Sequence, residues 1–119
     1  MNQPRKTPMQ RVAEAKDNIT EITILDLVES EKSKQVIIDV REAHELSVGT
    51  ILDAVNVPRG MIEFEVMKHC EADGWHTELV LYCKTGGRSA LACEALQDLG
   101  FTNVHSLAGG YEAWDKHHK

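Results

Sequence analysis

The segment Leu79–Ser89, which reads LVLYCKTGGRS, decides the fold that this chain is expected to adopt. Glu78–Tyr82 is a largely apolar run of strand length, typical of a strand buried on both faces of a parallel sheet. A loop with two glycines follows over Cys83–Gly87, and the spacing of apolar residues then predicts a helix over Arg88–Leu99. Ligands of open α/β sheets bind beyond the carboxyl ends of the strands. The sequence therefore predicts that Cys83 lies at a ligand-binding position.

Predicted strands and helices alternate along the rest of the chain, and this alternation predicts a parallel α/β sheet flanked by helices. In this interpretation residues 1–20 are a partly helical N-terminal extension and residues 21–119 are one domain. The predicted helices lie at residues 10–19, 24–29, 42–46, 60–70, 88–99 and 110–116, and the predicted strands at residues 21–23, 36–40, 54–57, 78–82 and 103–105.

The length and the charge of the chain restrict its function. Its 119 residues are enough for one domain. Its formal net charge of −6 argues against non-specific binding of nucleic acids, which need Lys and Arg to neutralise their phosphates. The polar N-terminus shows no apolar segment of a secretory signal, and no apolar run approaches the roughly 18 residues of a membrane span. We therefore expect neither a nucleic acid nor a membrane as a partner.

The three cysteines, Cys70, Cys83 and Cys93, are odd in number and lack the CxxC spacing of many metal sites. Free thiols in a reducing cytoplasm are the simplest interpretation, and no metal or other cofactor is expected. Packing explains Cys93, which lies among apolar residues of a predicted helix, and Cys70 lies near a predicted helix end. A packing role is also open to Cys83 at the end of a buried strand, and the glycines after it then serve a tight turn.

The residues around Cys83 also suit the chemistry of a thiolate. N–H groups of a glycine-rich loop can converge on one point as an anion-binding nest, and the following helix adds the positive end of its dipole. Lys84 and Arg88 add two full positive charges. All these effects favour the thiolate, so the pKa of Cys83 is expected below the free-cysteine value of about 8.5. The same donors suit a persulfide anion, and Lys84 or Arg88 suits an oxyanion such as a thiosulfonate.

A thiolate in an anion-binding loop is also typical of tyrosine phosphatases. Five residues separate the cysteine from the arginine in their motif, whereas the four residues Lys84–Gly87 separate Cys83 from Arg88 here. A shorter loop makes a smaller cradle, which fits one sulfur atom better than a tetrahedral phosphate. Tyr82, and not a histidine, precedes Cys83, and this difference also argues against phosphatase chemistry.

Two separate segments of the chain match the two signatures of one family. The first comprises Val36–Glu45 (VIIDVREAHE), Gly49–Ile51 and Ala54–Pro58. The second comprises Cys83–Ala92, Leu99–Phe101, Asn103–Val104, Leu107–Gly110 and Trp114. With both segments in order and at the usual separation, the sequence resembles the single-domain rhodanese family over roughly residues 22–114. Two positions depart from the signature, because Thr50 and Asp53 stand where the family usually has His and Gly.

The resemblance implies a central parallel five-stranded sheet with helices on both faces, and a double-displacement reaction. Cys83 would take a sulfane sulfur from a small anionic donor such as thiosulfate and carry it as a persulfide. It would then pass this sulfur to cyanide, a thiol or a protein cysteine. Asp39 and Arg41 would support the neighbourhood of the loop structurally. The residues that the resemblance implies in substrate binding are Lys84, Thr85, Gly86, Gly87, Arg88 and Ser89.

Three alternatives to this sulfurtransferase are open at this point. The first is a sulfur-relay module, in which a partner protein loads Cys83 in place of thiosulfate. The second is an inactive structural domain, against which the cysteine and the complete basic loop argue. The third is a Cys-loop phosphatase or arsenate reductase, which the short loop disfavours.

Overall fold

The computed structural model describes residues 5–30, 35–70 and 74–119. The strands in these ranges are β1 (Thr20–Ile22), β2 (Gln35–Asp39), β3 (Val55–Asn56), β4 (Glu78–Tyr82) and β5 (Val104–Leu107). They lie side by side in the order β1-β5-β4-β2-β3, and every neighbouring pair is parallel. The predicted parallel five-stranded sheet is confirmed.

Helices cover both faces of this sheet. The α-helices are α1 (Pro8–Asp17), α2 (Ile24–Glu29), α3 (Ile62–Glu65), α4 (Gly87–Leu99) and α5 (Gly110–His117). Short 3-10 helices in the described ranges lie at Ala43–Val48, Arg59–Met61, Val66–His69 and Gly74–His76. One hydrophobic core lies between the sheet and helices α3 and α4, and a second lies between the sheet and helices α2 and α5.

The side chains of β4 alternate between these two cores, because successive residues of a strand point to opposite faces. Leu79, Leu81 and Cys83 belong to the core beneath α3 and α4. Val80 and Tyr82 belong to the core beneath α2 and α5. The alternation therefore brings Cys83 to the α4 side of the sheet, just beyond the carboxyl end of the central strand.

The chain leaves β2 and β4, which are neighbours in the sheet, in opposite directions. After β2 it continues to β3 at one edge, and after β4 it continues to β5 on the other side. In open α/β sheets such a switch point opens a crevice at the carboxyl ends of the two strands, where ligands bind. Cys83 directly follows β4, and Arg41 lies just after β2.

Helix α1 begins and ends two residues earlier than the sequence predicts. The hydroxyl of Thr7 accepts the N–H of Gln10, and the side chain of Gln10 accepts the N–H of Thr7. This capping box, with Pro8 at the first helical position, fixes the start of the helix. Ile19, which was expected in the helix, instead packs against the core beneath α4.

Three further elements differ from the prediction. The helix predicted at 42–46 is a 3-10 helix at Ala43–Val48. The helix predicted at 60–70 is divided, with the single α-helical turn of α3 between two tighter 3-10 segments. The strand predicted at 103–105 extends to Leu107, because β5 pairs with both β1 and β4 beyond that point. The polar Ser106 interrupts the apolar pattern and so concealed this extension.

Candidate active site

Cys83 Sγ lies at the focus of the loop that joins β4 to α4. The N–H of Gly86 donates to this sulfur at 3.1 Å, the N–H of Ser89 donates to it at 3.4 Å, and the Ser89 hydroxyl lies 3.6 Å away. The N–H of Thr85 also forms a hydrogen bond with it. Only 1% of Cys83 is exposed. The loop thus forms a cradle of donors around a single sulfur atom.

This cradle depends on the backbone conformation of Gly86. Its φ of +116° is left-handed, and residues with a Cβ rarely adopt such a conformation. The turn directs the N–H of Gly86 towards Cys83 and lets α4 begin at Gly87. The carbonyl of Gly86 then accepts the N–H of Ala90 at 3.1 Å as the first bond of the helix. Of the two loop glycines, Gly86 is the one whose conformation requires the residue type.

The cradle lowers the pKa of the Cys83 thiol. Burial raises this pKa and is the largest single influence. Hydrogen bonds from the hydroxyl and N–H of Ser89, and from the N–H groups of Gly86 and Thr85, together outweigh it. By contrast, burial raises the pKa of Cys93, which lies in the same core on α4. Cys83 is therefore the more readily ionised of these two thiols.

Two buried serines extend the hydrogen-bond network behind Cys83. The hydroxyl oxygens of Ser89 and Ser106 are 2.8 Å apart, and both residues are fully buried. A buried hydroxyl without a partner costs about 1–3 kcal/mol, so each serine stabilises the other inside the core. Ser106 on β5 thereby orients the hydroxyl that faces the thiol.

The N-terminus of α5 fixes the carbonyl groups of the same loop. The N–H of Tyr111 donates to the carbonyl of Cys83 at 2.8 Å, and the N–H of Glu112 donates to the carbonyl of Lys84 at 3.1 Å. Gly110 approaches so closely that an added Cβ would lie 2.4 Å from the Cys83 carbonyl oxygen, and its φ is +56°. These bonds attach the first two residues of the loop to the start of α5.

The two basic residues of the loop differ in their surroundings. The guanidinium of Arg88 makes two hydrogen bonds with the carboxylate of Glu45, at 2.7 and 3.0 Å. Lys84 is exposed, and within residues 5–30, 35–70 and 74–119 it takes part in no ion pair. The charge of Arg88 is therefore largely compensated, whereas the charge of Lys84 faces solvent next to the cradle.

Asp39 and Arg41 form a buried ion pair beside the crevice, and each is only 1% exposed. Arg41 Nη2 lies 2.7 Å from Asp39 Oδ2, and Arg41 Nε lies 3.0 and 3.1 Å from the two carboxylate oxygens. Arg41 Nη2 also donates to the carbonyl of Gly49 at 2.7 Å. Its guanidinium lies 4.6 Å from the ring centroid of Tyr111. The pair thus links the segment after β2 to the helix that holds the Cys83 loop.

The two positions that depart from the family signature, Thr50 and Asp53, are both exposed. Asp53 has a φ of 67°, a left-handed conformation in which glycine avoids steric strain. The backbone at this position therefore accounts for the glycine that is usual there. An exposed Thr50 leaves the core unchanged.

The described residues contain no group of three or more His, Cys, Asp or Glu side chains that could hold a metal ion. Among the helices of this described part, none is both long enough and apolar enough to cross a membrane. Cys83 and Cys93 are free thiols.

Comparison with known families gives a match over most of the chain. Residues 13–117 match the family model of the rhodanese-like domain. The chain belongs to the rhodanese family. The match contains the Cys83 loop together with Asp39 and Arg41, and it begins within α1. The resemblance inferred from the two signatures is confirmed.

Relatives of this rhodanese include a sulfurtransferase from Allochromatium vinosum, which is 34% identical over 82 residues, 69% of this chain and 73% of the relative. A human single-domain sulfurtransferase superposes with a TM-score of 0.70 at 27% identity, over 81% of this chain and 95% of that one. A protein of unknown function and possible tyrosine phosphatase from Rhodopseudomonas palustris superposes with a TM-score of 0.82 at 30% identity, over 99% and 96% of the two chains. The family and its sulfurtransferase members support sulfurtransferase activity in general.

Three parts of the rhodanese site were not predicted from the sequence. Glu45 belongs to the first signature, and its negative charge is the one feature of the sequence that indicates an ion pair with a basic residue such as Arg88. Ser106 is a polar residue between apolar ones, which indicates a buried hydroxyl that needs a partner. Gly110 belongs to a glycine pair after a strand, which indicates a close approach of two backbone segments.

Proposed function

We propose that this rhodanese is a thiosulfate-using sulfurtransferase that carries sulfane sulfur on Cys83 as a persulfide. The Cys83 thiolate attacks the outer sulfur of thiosulfate, and a new S–S bond forms. The S–S bond of thiosulfate breaks, and its electron pair leaves with sulfite. A thiophile such as cyanide or a thiol then attacks the outer sulfur of the persulfide. The S–S bond between this sulfur and Cys83 breaks, and its electron pair returns to Cys83. The two steps balance without an added oxidant or reductant.

The convergence of donors on Cys83 Sγ is the observation that carries this proposal. The thiolate is the attacking group of the first step and the leaving group of the second. Donors at 3.1 and 3.4 Å, from Gly86 and Ser89, stabilise negative charge on this sulfur in both steps. The lowered pKa of Cys83 has the same origin and increases the thiolate fraction near neutral pH.

The predicted substrate-binding residues take three different parts in this proposal. The N–H groups of Thr85, Gly86 and Ser89 hold the reacting sulfur. Lys84, exposed and next to the cradle, attracts the dianionic thiosulfate. Arg88 is bound to a carboxylate and so holds the loop in place, while Gly87 begins the helix.

The contact between Arg88 and Glu45 favours sulfur transfer over phosphate-ester hydrolysis. An arginine that binds a phosphate offers its paired N–H groups to the phosphate oxygens. Both terminal nitrogens of Arg88 instead donate to Glu45. The cradle also closes on one sulfur atom, with Gly86 N–H at 3.1 Å from Sγ. These features support sulfur transfer over the chemistry of a Cys-loop phosphatase, in spite of the related arrangement of strand, loop and helix.

The same chemistry favours the cytoplasm as the location of this protein. Cys83 and Cys93 are free thiols. In an oxidising compartment, a thiol with a lowered pKa such as Cys83 would be trapped as a disulfide.

Formation of thiocyanate from thiosulfate and cyanide tests the proposal. We expect turnover by the unmodified chain, none by Cys83→Ser, and retained turnover by the matched variant Cys70→Ser. Turnover that survives in Cys83→Ser would show that another residue is the nucleophile. Efficient hydrolysis of an aryl phosphate would favour the phosphatase instead. Poor loading from thiosulfate with ready loading from a cysteine desulfurase would identify a sulfur-relay module.

A further inference from the structure

A cleft of about 440 Å³ lies between α1 and the Cys83 loop. Its wall on the α1 side includes the side chains of Met9, Val12 and Ala13, and Thr85 and Gly87 line it from the loop. Met9 is 83% exposed, so an apolar side chain is presented to solvent beside the loop. The N-terminal extension therefore supplies an apolar surface next to the candidate active site.

The cleft borders the backbone that binds the Cys83 sulfur. A methyl group of Val12 lies 3.6 Å from the position that a Cβ on Gly87 would occupy. Lys16 Nζ lies 3.9 Å from the corresponding position on Gly86, whose N–H donates to Sγ. Val12 and Lys16 of α1 thus lie beside Gly87 and Gly86, the second of which donates its N–H to the sulfur.

Helix α1 is fixed in this position by the body of the protein. Ala15 is fully buried. Arg11 forms an ion pair with Glu94 of α4, and the side-chain amide of Asn18 donates to the other oxygen of the same carboxylate at 3.2 Å. The cleft wall is therefore held against α4 at both ends of the helix.

The charges around the loop favour approach of an anion from the α1 side. In the part of the chain that the structure describes, one carboxylate forms an ion pair with Lys16, that of Glu21 at 3.9 Å, and the Lys16 side chain is 39% exposed. A second cleft on the other side of the loop is lined by three carboxylates, from Glu45, Glu112 and Asp115, and by two basic side chains, from Arg41 and Lys84. Among the described residues that line the first cleft, Lys16 is the one charged residue. An anionic group is therefore less repelled beside Lys16 than in the second cleft.

We propose that the cleft between α1 and the loop binds the sulfur acceptor, and that this acceptor is a low-molecular-weight thiol with an apolar body and a carboxylate. Its apolar body lies along Met9, Val12 and Ala13, and its carboxylate pairs with Lys16. The thiol loses its proton and its sulfur attacks the outer sulfur of the Cys83 persulfide. The S–S bond to Cys83 breaks, its electron pair returns to the Cys83 thiolate, and the acceptor leaves as its own persulfide. This inference rests on the proposed sulfurtransferase function.

Three acceptor thiols of similar intrinsic reactivity test the proposal on the full chain. Mercaptohexanoate has both the apolar body and the carboxylate, mercaptopropionate lacks the longer apolar body, and mercaptohexanol lacks the carboxylate. Cys83 is loaded with inorganic polysulfide, so that the result does not depend on the use of thiosulfate. The second-order rate constant for loss of the sulfur is then followed by the mass of the peptide that contains Cys83.

We expect mercaptohexanoate to react about tenfold faster than mercaptopropionate, because the additional methylene groups are partly buried in the cleft. We expect it to react about threefold faster than mercaptohexanol, because an exposed ion pair contributes little. Met9→Ser should lower the ratio of the rate constants for mercaptohexanoate and mercaptopropionate, and the matched variant Met67→Ser should leave this ratio unchanged. Lys16→Gln should bring the ratio of the rate constants for mercaptohexanoate and mercaptohexanol to about one, and the matched variant Lys68→Gln should leave this ratio unchanged.

Equal rate constants for the three thiols in the unmodified chain would overturn this inference. Equal changes of the two rate ratios in the cleft variants and in their control variants would also overturn it. Either result leaves the proposed function intact. Failure of thiosulfate to load Cys83, with both acceptor ratios as expected, would overturn the proposed donor and leave the cleft as the acceptor site.

Discussion

The carboxylate of Glu45 accepts two hydrogen bonds from the guanidinium of Arg88, at 2.7 and 3.0 Å. This pair joins the 3-10 helix Ala43–Val48, which follows β2, to the first turn of α4. It therefore connects the two sides of the crevice in which Cys83 lies. Because both terminal nitrogens of Arg88 are engaged, we propose that the arginine of the loop acts as a positioning residue.

Glu45→Gln should weaken this connection in a pH-dependent way. Hydrogen bonds from Arg88, more than any other influence, lower the pKa of Glu45 from 4.5 to about 2. A carboxyl group whose pKa is lowered on folding stabilises the fold above its unfolded-state pKa, and the stabilisation is lost as the pH falls towards the folded-state value. We expect Glu45→Gln to lower the free energy of unfolding by about 1 kcal/mol at neutral pH. The difference in free energy of unfolding between this variant and the unmodified chain should vanish as the pH falls from 4.5 to about 2. Urea unfolding at several pH values measures this, and a difference that is independent of pH would contradict it.

Ser89→Ala should raise the pKa of Cys83. The hydroxyl of Ser89 is the strongest of the hydrogen-bonding groups that lower this pKa, so its removal disfavours the thiolate. The rate of iodoacetamide alkylation of Cys83, followed across pH by peptide mass, should show a midpoint at higher pH. Ser106→Ala is the matched control, because Ser106 contacts the Ser89 hydroxyl and should cause a smaller shift. An unchanged midpoint in Ser89→Ala would argue against the role of the hydroxyl.

Gly110→Ala should destabilise the fold and disturb the Cys83 loop. The new Cβ would lie 2.4 Å from the Cys83 carbonyl oxygen and 2.7 Å from the carbonyl carbon of Lys84, at a φ of +56°. Left-handed strain and overpacking together should cost about 3 kcal/mol of unfolding free energy. Gly60→Ala is the control, since nothing lies within 4 Å of its added Cβ. Urea unfolding measures both variants, and similar free energies of unfolding for Gly110→Ala and Gly60→Ala would contradict the close approach of α5 to the Cys83 loop.

Asp53→Gly should stabilise the fold slightly. Asp53 has a φ of 67°, and glycine removes its strain at the expense of a more flexible unfolded chain. We expect the free energy of unfolding to rise by about 0.5 kcal/mol in Asp53→Gly and to fall by about 1 kcal/mol in Asp53→Val. Thermal and urea unfolding measure both changes. A higher free energy of unfolding in Asp53→Val than in Asp53→Gly would contradict the left-handed conformation of the backbone at this position.

The fold could be predicted from the sequence because its signals are local. The buried run Glu78–Tyr82 is observed as β4 with the same bounds, and the second of the two loop glycines begins a helix that Gly100 ends with a φ of +116°. The start of α1 was missed although its signal is also local. The Thr7–Gln10 capping box and Pro8 together mark the first turn.

The partners within the candidate site could not be predicted, because they depend on the order of strands in the sheet. Glu45 and Arg88 are 43 positions apart, and they meet because β2 lies beside β4. Ser106 reaches Ser89 because β5 lies on the other side of β4. The sequence shows that Arg88 is charged, but the carboxylate that compensates it becomes evident only when the two segments are assembled.

The mass of the chain after incubation with thiosulfate tests the central claim most directly. We expect the unmodified chain to gain one sulfur atom, about 32 Da, on the peptide that contains Cys83, and to lose it when cyanide is added. Cys70→Ser should gain the same mass, and Cys83→Ser should gain none. A chain in which Cys83→Ser still takes up sulfur that cyanide removes would contradict the assignment of Cys83 as the sulfur carrier.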